Sequence, residues 1–188
     1  MIGRLPVLRP AELSAEQRAV YDSVVGGPRG AGPQAFPLTD AEGGLTGPFN
    51  AMLFSPGVGA ALQELGAAIR FRGGLSARVR ELAILLVAAK WDSDFERYAH
   101  EAVGRGIGLT GAELAAARAG TVPDSADGAE RAALELVVAM LDGDVDQALW
   151  GRAAAVLDHR TMVEVSTLVG YYATLALQLR VFRVGVPG

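Results

Sequence analysis

The chain has 188 residues, of which 51% are hydrophobic and 20% charged, with a formal net charge of -4 and no cysteine. This length is enough for one domain with a substantial core. The near balance of acids and bases, with no stripe of Lys and Arg, excludes an electrostatic nucleic-acid binder, and the absence of cysteine removes disulfides, thiolate nucleophiles and zinc-thiolate sites together.

Residues 1–10 contain Pro6 and Pro10 and lack the apolar stretch of a signal peptide. The longest unbroken apolar run, residues 82–89, falls far short of the roughly 20 residues that span a bilayer. A cytoplasmic protein without a membrane segment is the expectation. Ser14 followed by Gln17 has the capping-box form and predicts a helix through Val25. Residues 26–47 are rich in Gly and Pro and show no helical period. A loop of this length either covers a site, reaches a neighbouring subunit, or is a disordered insert, and composition does not choose among these.

Residues 48–54 fit a short helix. Ser55-Pro56 pairs an N-cap with proline at the first helical position and opens a helix to about Phe71, which Gly73-Gly74 stop. Ser76 caps the next helix, to about Trp91. Ser93 opens another, which ends in the glycine cluster at 104–108. Thr110 caps a short helix to Ala117, and residues 120–128 form a linker. Further helices are predicted over 129–141, 146–157 and 161–182. Residues 82–89 alone would suit a buried strand, but their flanks extend the segment beyond strand length and Leu and Ala favour helix. Being apolar on every side, this helix belongs at the centre of the fold. The fold class is therefore all-α, in a single domain. Residues 1–47 supply an N-terminal helix and loop, 48–118 a core with a helical hairpin at 76–105, and 129–184 the C-terminal helices. The last helix carries Val165, Leu168, Val169, Tyr172, Leu175, Ala176 and Leu179 on one broad face. Val163, Tyr171, Leu177 and Val181 lie elsewhere around it, so it packs on two partners, another subunit being a candidate for one.

Only two histidines exist, His100 and His159. His100 follows Glu96 by four residues, which sets carboxylate and imidazole side by side on one helix face. Glu81 heads the preceding helix. It is either an exposed first-turn acid favoured by the helix dipole or a buried acid facing the next helix. A solvated surface pair is the bland alternative for Glu96 and His100. One histidine with two acids makes a poor metal site, so no metal is expected. Residues 104–108 follow no strand and read as a helix end rather than a dinucleotide loop. Trp91, Trp150, Tyr171 and Tyr172 are explained by packing.

The spacing Glu81, Ser93, Glu96, His100, on a hairpin beginning R-E-L-A-I-L-L-V-A-A, resembles the carboxymuconolactone decarboxylase family and its alkylhydroperoxidase D-like relatives. The resemblance covers residues 75–109 and extends more loosely over 46–74. In the peroxidase branch the hairpin carries Glu, then Cys-x-x-Cys, then His. The two cysteine positions here are Ser93 and Glu96, so thiol peroxidase chemistry is excluded. The resemblance implies an alkylhydroperoxidase D-like helical bundle, a homo-oligomer (trimer or hexamer), and a cofactor-independent decarboxylase acting on a small carboxylated lactone or related acid. Its catalytic residues would be His100, Glu96 and Glu81, with His100 supplying the proton and an acid orienting it. Ser93 lies in the same site. Arg97, Arg72 or Arg70 would take the substrate carboxylate, although a solvated surface charge is the ordinary role of each. Phe49 and Asn50 belong to the same pattern: the Asn50 amide would hydrogen-bond a substrate carbonyl or serve a helix start or turn. The alternative function is a non-catalytic or regulatory oligomer that keeps the scaffold without its thiols.

Overall fold

The computed structural model describes residues 3–31 and 35–186; residues 32–34 of the expected loop lie outside them. Among the described residues the regular structure is helical, with one isolated bridge pairing Thr39 and Leu45. Among the described residues no helix is long and apolar enough to cross a membrane. The chain divides into two compact units, residues 1–72 with 177–188 and residues 73–176.

The first unit contains α1 (Ala15–Val25), α2 (Pro28–Ala31), α3 (Phe49–Met52) and α4 (Pro56–Phe71). The capping box at α1 is present: Ser14 Oγ accepts from the Gln17 amide at 3.2 Å, and the Gln17 side chain accepts from the Ser14 amide at 3.0 Å. Val20 and Val24 are the buried residues of α1. The Gln63 amide of α4 donates to the Ser23 carbonyl at 3.2 Å, which ties α4 to α1. Gly59 is required where α4 passes α3, because a Cβ there would stand 2.1 Å from the Met52 carbonyl oxygen. Two expectations change. The loop after α1 begins with a single helical turn, α2, opened by Pro28. Ser55 occupies the N-cap of α4, yet its side chain makes no capping bond; proline at the first helical position leaves one fewer amide to satisfy.

The second unit is built around a helical hairpin. In α5 (Ala77–Trp91), Ser76 Oγ accepts from the Val79 amide at 3.1 Å. Every residue from Leu82 to Ala88 is buried, so this helix lies inside the unit with α6, α7 and α8 packed around it. Asp92 takes a left-handed conformation (φ 49°, ψ 49°), which a short polar side chain tolerates, and α6 (Asp94–Gly106) runs back along α5. A full capping box of Thr110 and Glu113 starts α7 (Gly111–Arg118). Asp127 and Asp146 cap α8 (Gly128–Asp142) and α9 (Gln147–Ala154). α10 (His159–Phe182) starts earlier than the predicted Thr161, because Asp158 Oδ1 accepts from the Thr161 amide at 2.7 Å and is the effective cap. Arg78 of α5 binds Glu113 of α7 at 2.6 Å and Glu130 of α8 at 3.1 Å, joining three helices through one guanidinium.

Candidate active site

The hairpin decides the two possibilities for Glu81. It lies on α5 with 0% of its surface exposed and faces α6, where Glu96 and His100 are also buried. His100 Nδ1 is 2.6 Å from Glu81 Oε2, and His100 Nε2 is 3.2 Å from Glu96 Oε2. The solvated surface pair is thereby replaced by a buried chain of carboxylate, imidazole and carboxylate. The Tyr172 ring of α10 stands edge-on to the imidazole, with centroids 5.2 Å apart, and Tyr171 stacks edge-on to Tyr172 in turn. Arg80 Nε donates to the second oxygen of Glu81, Oε1, at 3.2 Å.

One atom of this group stands apart. Glu96 Oε1 is buried and has no hydrogen-bond partner, a costly state for a carboxylate oxygen. Burial alone pulls the His100 pKa down, but the charge of Glu81 and the hydrogen bonds of Glu81 and Glu96 outweigh it and raise it above the ordinary 6.5. The imidazolium donates from both nitrogens. In the neutral ring one nitrogen donates and the other presents a lone pair, Nδ1 facing Glu81 and Nε2 facing Glu96. Both ring nitrogens are engaged, which leaves neither free as a metal ligand. Among the described residues no group of His, Asp and Glu side chains is disposed to hold a metal.

The other predicted residues have their own surroundings. Ser93 is buried at the hairpin turn, where its amide donates to the Ala88 carbonyl at 2.9 Å, but its hydroxyl does not cap α6. Arg97 is bound by Asp94 at 2.6 Å and Asp92 at 3.3 Å. In the first unit, Arg72 is exposed and paired with Glu64, and Arg70 sits in the last turn of α4. Phe49 is buried and stacked on Phe36, with the Arg29 guanidinium 4.9 Å from its ring centroid. Asn50 is neither a free amide nor a helix cap: its Oδ1 accepts from the Leu8 amide at 3.1 Å and its Nδ2 donates to the Pro6 carbonyl at 2.9 Å. A cleft of about 320 Å³ in the second unit, lined by Leu86, Lys90, Arg118, Val138 and Asp142 among others, includes none of these residues.

Sequence reasoning missed Arg80 and Tyr172. Adjacent residues on a helix do not face one another, so the spacing carried no signal for Arg80. Packing accounts for Tyr172 in the sequence, and its ring reaches His100 only through the tertiary fold.

The model of the carboxymuconolactone decarboxylase family matches residues 56–139, a span that contains Glu81, Glu96 and His100. No curated protein matches by sequence. Among solved structures, an uncharacterized peroxidase-related protein from Ralstonia eutropha, described as an alkylhydroperoxidase AhpD core, is 14% identical. It covers 100% of this chain and 93% of its own, with a TM-score of 0.76. The debrominase Bmp8 in complex with a tribromopyrrole is 13% identical over 100% of this chain and 94% of its own, with a TM-score of 0.75. A protein of unknown function from Agrobacterium tumefaciens, linked to the antioxidant defence protein AhpD, is 20% identical over 74% of this chain and 97% of its own, with a TM-score of 0.66. At these identities the likeness establishes an alkylhydroperoxidase D-like helical fold.

Proposed function

We propose that this cysteine-free chain, whose residues 56–139 match the model of the carboxymuconolactone decarboxylase family, is a cofactor-independent acid-base enzyme acting on a small carboxylated lactone or a related acid. The observation that carries this reading is the buried Glu81–His100–Glu96 chain, which ends in an unpartnered carboxylate oxygen. Loss of carbon dioxide breaks a carbon–carbon bond of the substrate and leaves its electron pair delocalised toward the lactone carbonyl. The single proton held between His100 Nε2 and Glu96 passes through Glu96 to the carbon. His100 is left neutral, and its Nδ1–H bond to Glu81 holds the ring in place throughout. Solvent then restores the proton. Arg97 and Arg72 already hold acidic partners, so a substrate carboxylate would have to compete for either.

A panel of carboxylated butenolides, followed by carbon dioxide release, tests the proposal. Turnover by the wild-type chain and its collapse in Glu96→Gln are expected. If no member of the panel turns over, or if Glu96→Gln is fully active, the reading fails.

We also propose that the chain works as a homo-oligomer, a trimer or hexamer. Val163, Leu177 and Val181 lie on one side of α10 and are 63%, 45% and 44% exposed, an apolar stripe of the kind that subunit contacts cover. Sedimentation at micromolar concentration should show a species of three or more chains; a monomer would refute this. An oligomer that binds no acid or lactone, with His100 and Glu96 replaceable at no functional cost, would instead support the non-catalytic alternative.

A further inference from the structure

The acid-base reading leaves open what keeps two carboxylates, Glu81 and Glu96, charged inside the protein beside a single imidazole. Both are almost completely shielded from water, where an uncompensated carboxylate neutralises by taking up a proton. With His100 protonated, the three groups still carry a net negative charge. Arg80 supplies the balancing cation. Its side chain is 17% exposed, and its Nε lies 3.2 Å from Glu81 Oε1, while Glu81 Oε2 lies 2.6 Å from His100 Nδ1. The two oxygens of one carboxylate are thus divided between a permanent cation and a titratable one. The contact is made by the shoulder of the guanidinium rather than its tip, as a residue adjacent on the helix requires, because a neighbour's side chain must fold back to reach.

We propose that Arg80 is a positioning residue of this site: by holding Glu81 Oε1 it presents Oε2 to His100 and keeps Glu81 ionised, so that the exchangeable proton resides between His100 and Glu96. The groups facing His100 are Glu81 from α5, Glu96 from its own helix and the edge of Tyr172 from α10. Arg80 is a fixed positive charge beside this group. Removing it should let Glu81 take up a proton and give up its hold on His100. A unit charge several ångströms away, at the effective dielectric of a protein site, shifts a titration by about one pH unit or more.

The inference rests on the acid-base reading of the site, but its test needs no substrate, so the two can fail separately. The protein has two histidines, and His159 is exposed at the start of α10, which makes it an internal reference for His100. In histidine-labelled protein followed by NMR, Arg80→Met should lower the His100 midpoint by about one pH unit, with His159 unmoved. Arg80→Lys, which restores the charge, should bring it most of the way back. A merely structural role for Arg80 would lower melting temperature in both variants without this ordering. If Arg80→Met does not fold, Arg80→Gln, neutral but still polar, decides in its place. An unchanged or raised His100 midpoint in the folded neutral variant would overturn the proposal.

Discussion

His100→Gln is expected to lower turnover of the responsive carboxylated lactone by about a hundredfold or more, the usual contribution of a positioned proton-transfer group. Glutamine can donate one hydrogen bond to Glu81 or Glu96 but cannot carry the proton between them. The same variant should also change how stability depends on pH. His100 has a raised pKa in the folded protein. Its contribution is therefore fully present below the unfolded value near 6.5 and is lost as pH rises through the folded value. Wild-type protein should lose stability on the alkaline side over that window, and His100→Gln should not. At neutral pH the variant leaves two buried acids without their imidazolium, at a cost on the order of 1–3 kcal/mol. Thermal melts across pH with steady-state rates on the same samples check both effects. A variant that melts lower but turns over at the wild-type rate would show that the buried chain serves packing alone.

Arg78→Ala is expected to cost about 2–3 kcal/mol of stability at neutral pH without a comparable effect on the chemistry of the site. Arg78 is about a third exposed, so the pair is worth less than a fully buried one, but its removal strands two shielded acids, Glu113 and Glu130. The Arg78 guanidinium, the Thr110 amide and the Ser125 hydroxyl hold the Glu113 carboxyl down to about 2, from an ordinary 4.5. A depressed carboxylate contributes stability that is present above its unfolded pKa and is lost as pH falls through the folded one. Wild-type protein should therefore weaken progressively between about pH 4.5 and pH 2. In Arg78→Ala that acid limb should be shallower. Denaturant titrations at several pH values measure the difference. Equal acid limbs in the two proteins would place the source of acid sensitivity elsewhere.

Sequence reading succeeded where a local rule governed the outcome. The capping box at Ser14 and the caps at Ser76 and Thr110 depend on groups three residues apart, and all three are formed. Ser55 and Ser93 have the right residue type, but neither hydroxyl bonds the helix that follows; Ser55 has φ −140° and ψ 81°. Backbone direction at a cap is set by what the chain must reach next, which the residue type does not encode. The pairing of Glu96 with His100 was legible from one helical turn. That Glu81 is buried depended on the hairpin closing, and spacing left it open. The partners of Asn50 lie more than 40 residues away in the chain, beyond any local pattern.

Asn50 makes the protein answerable for its own beginning. Its amide holds a carbonyl at Pro6 with one end and an amide at Leu8 with the other, so a peptide of three residues is gripped much as a receptor grips a ligand. A protease that clipped the chain before Arg9 would leave this small receptor empty, with a buried donor and a buried acceptor facing nothing. Residues 6–8 thus fill a slot in the first unit as a bound peptide would, and a synthetic peptide of the same sequence is the molecule with which to refill it.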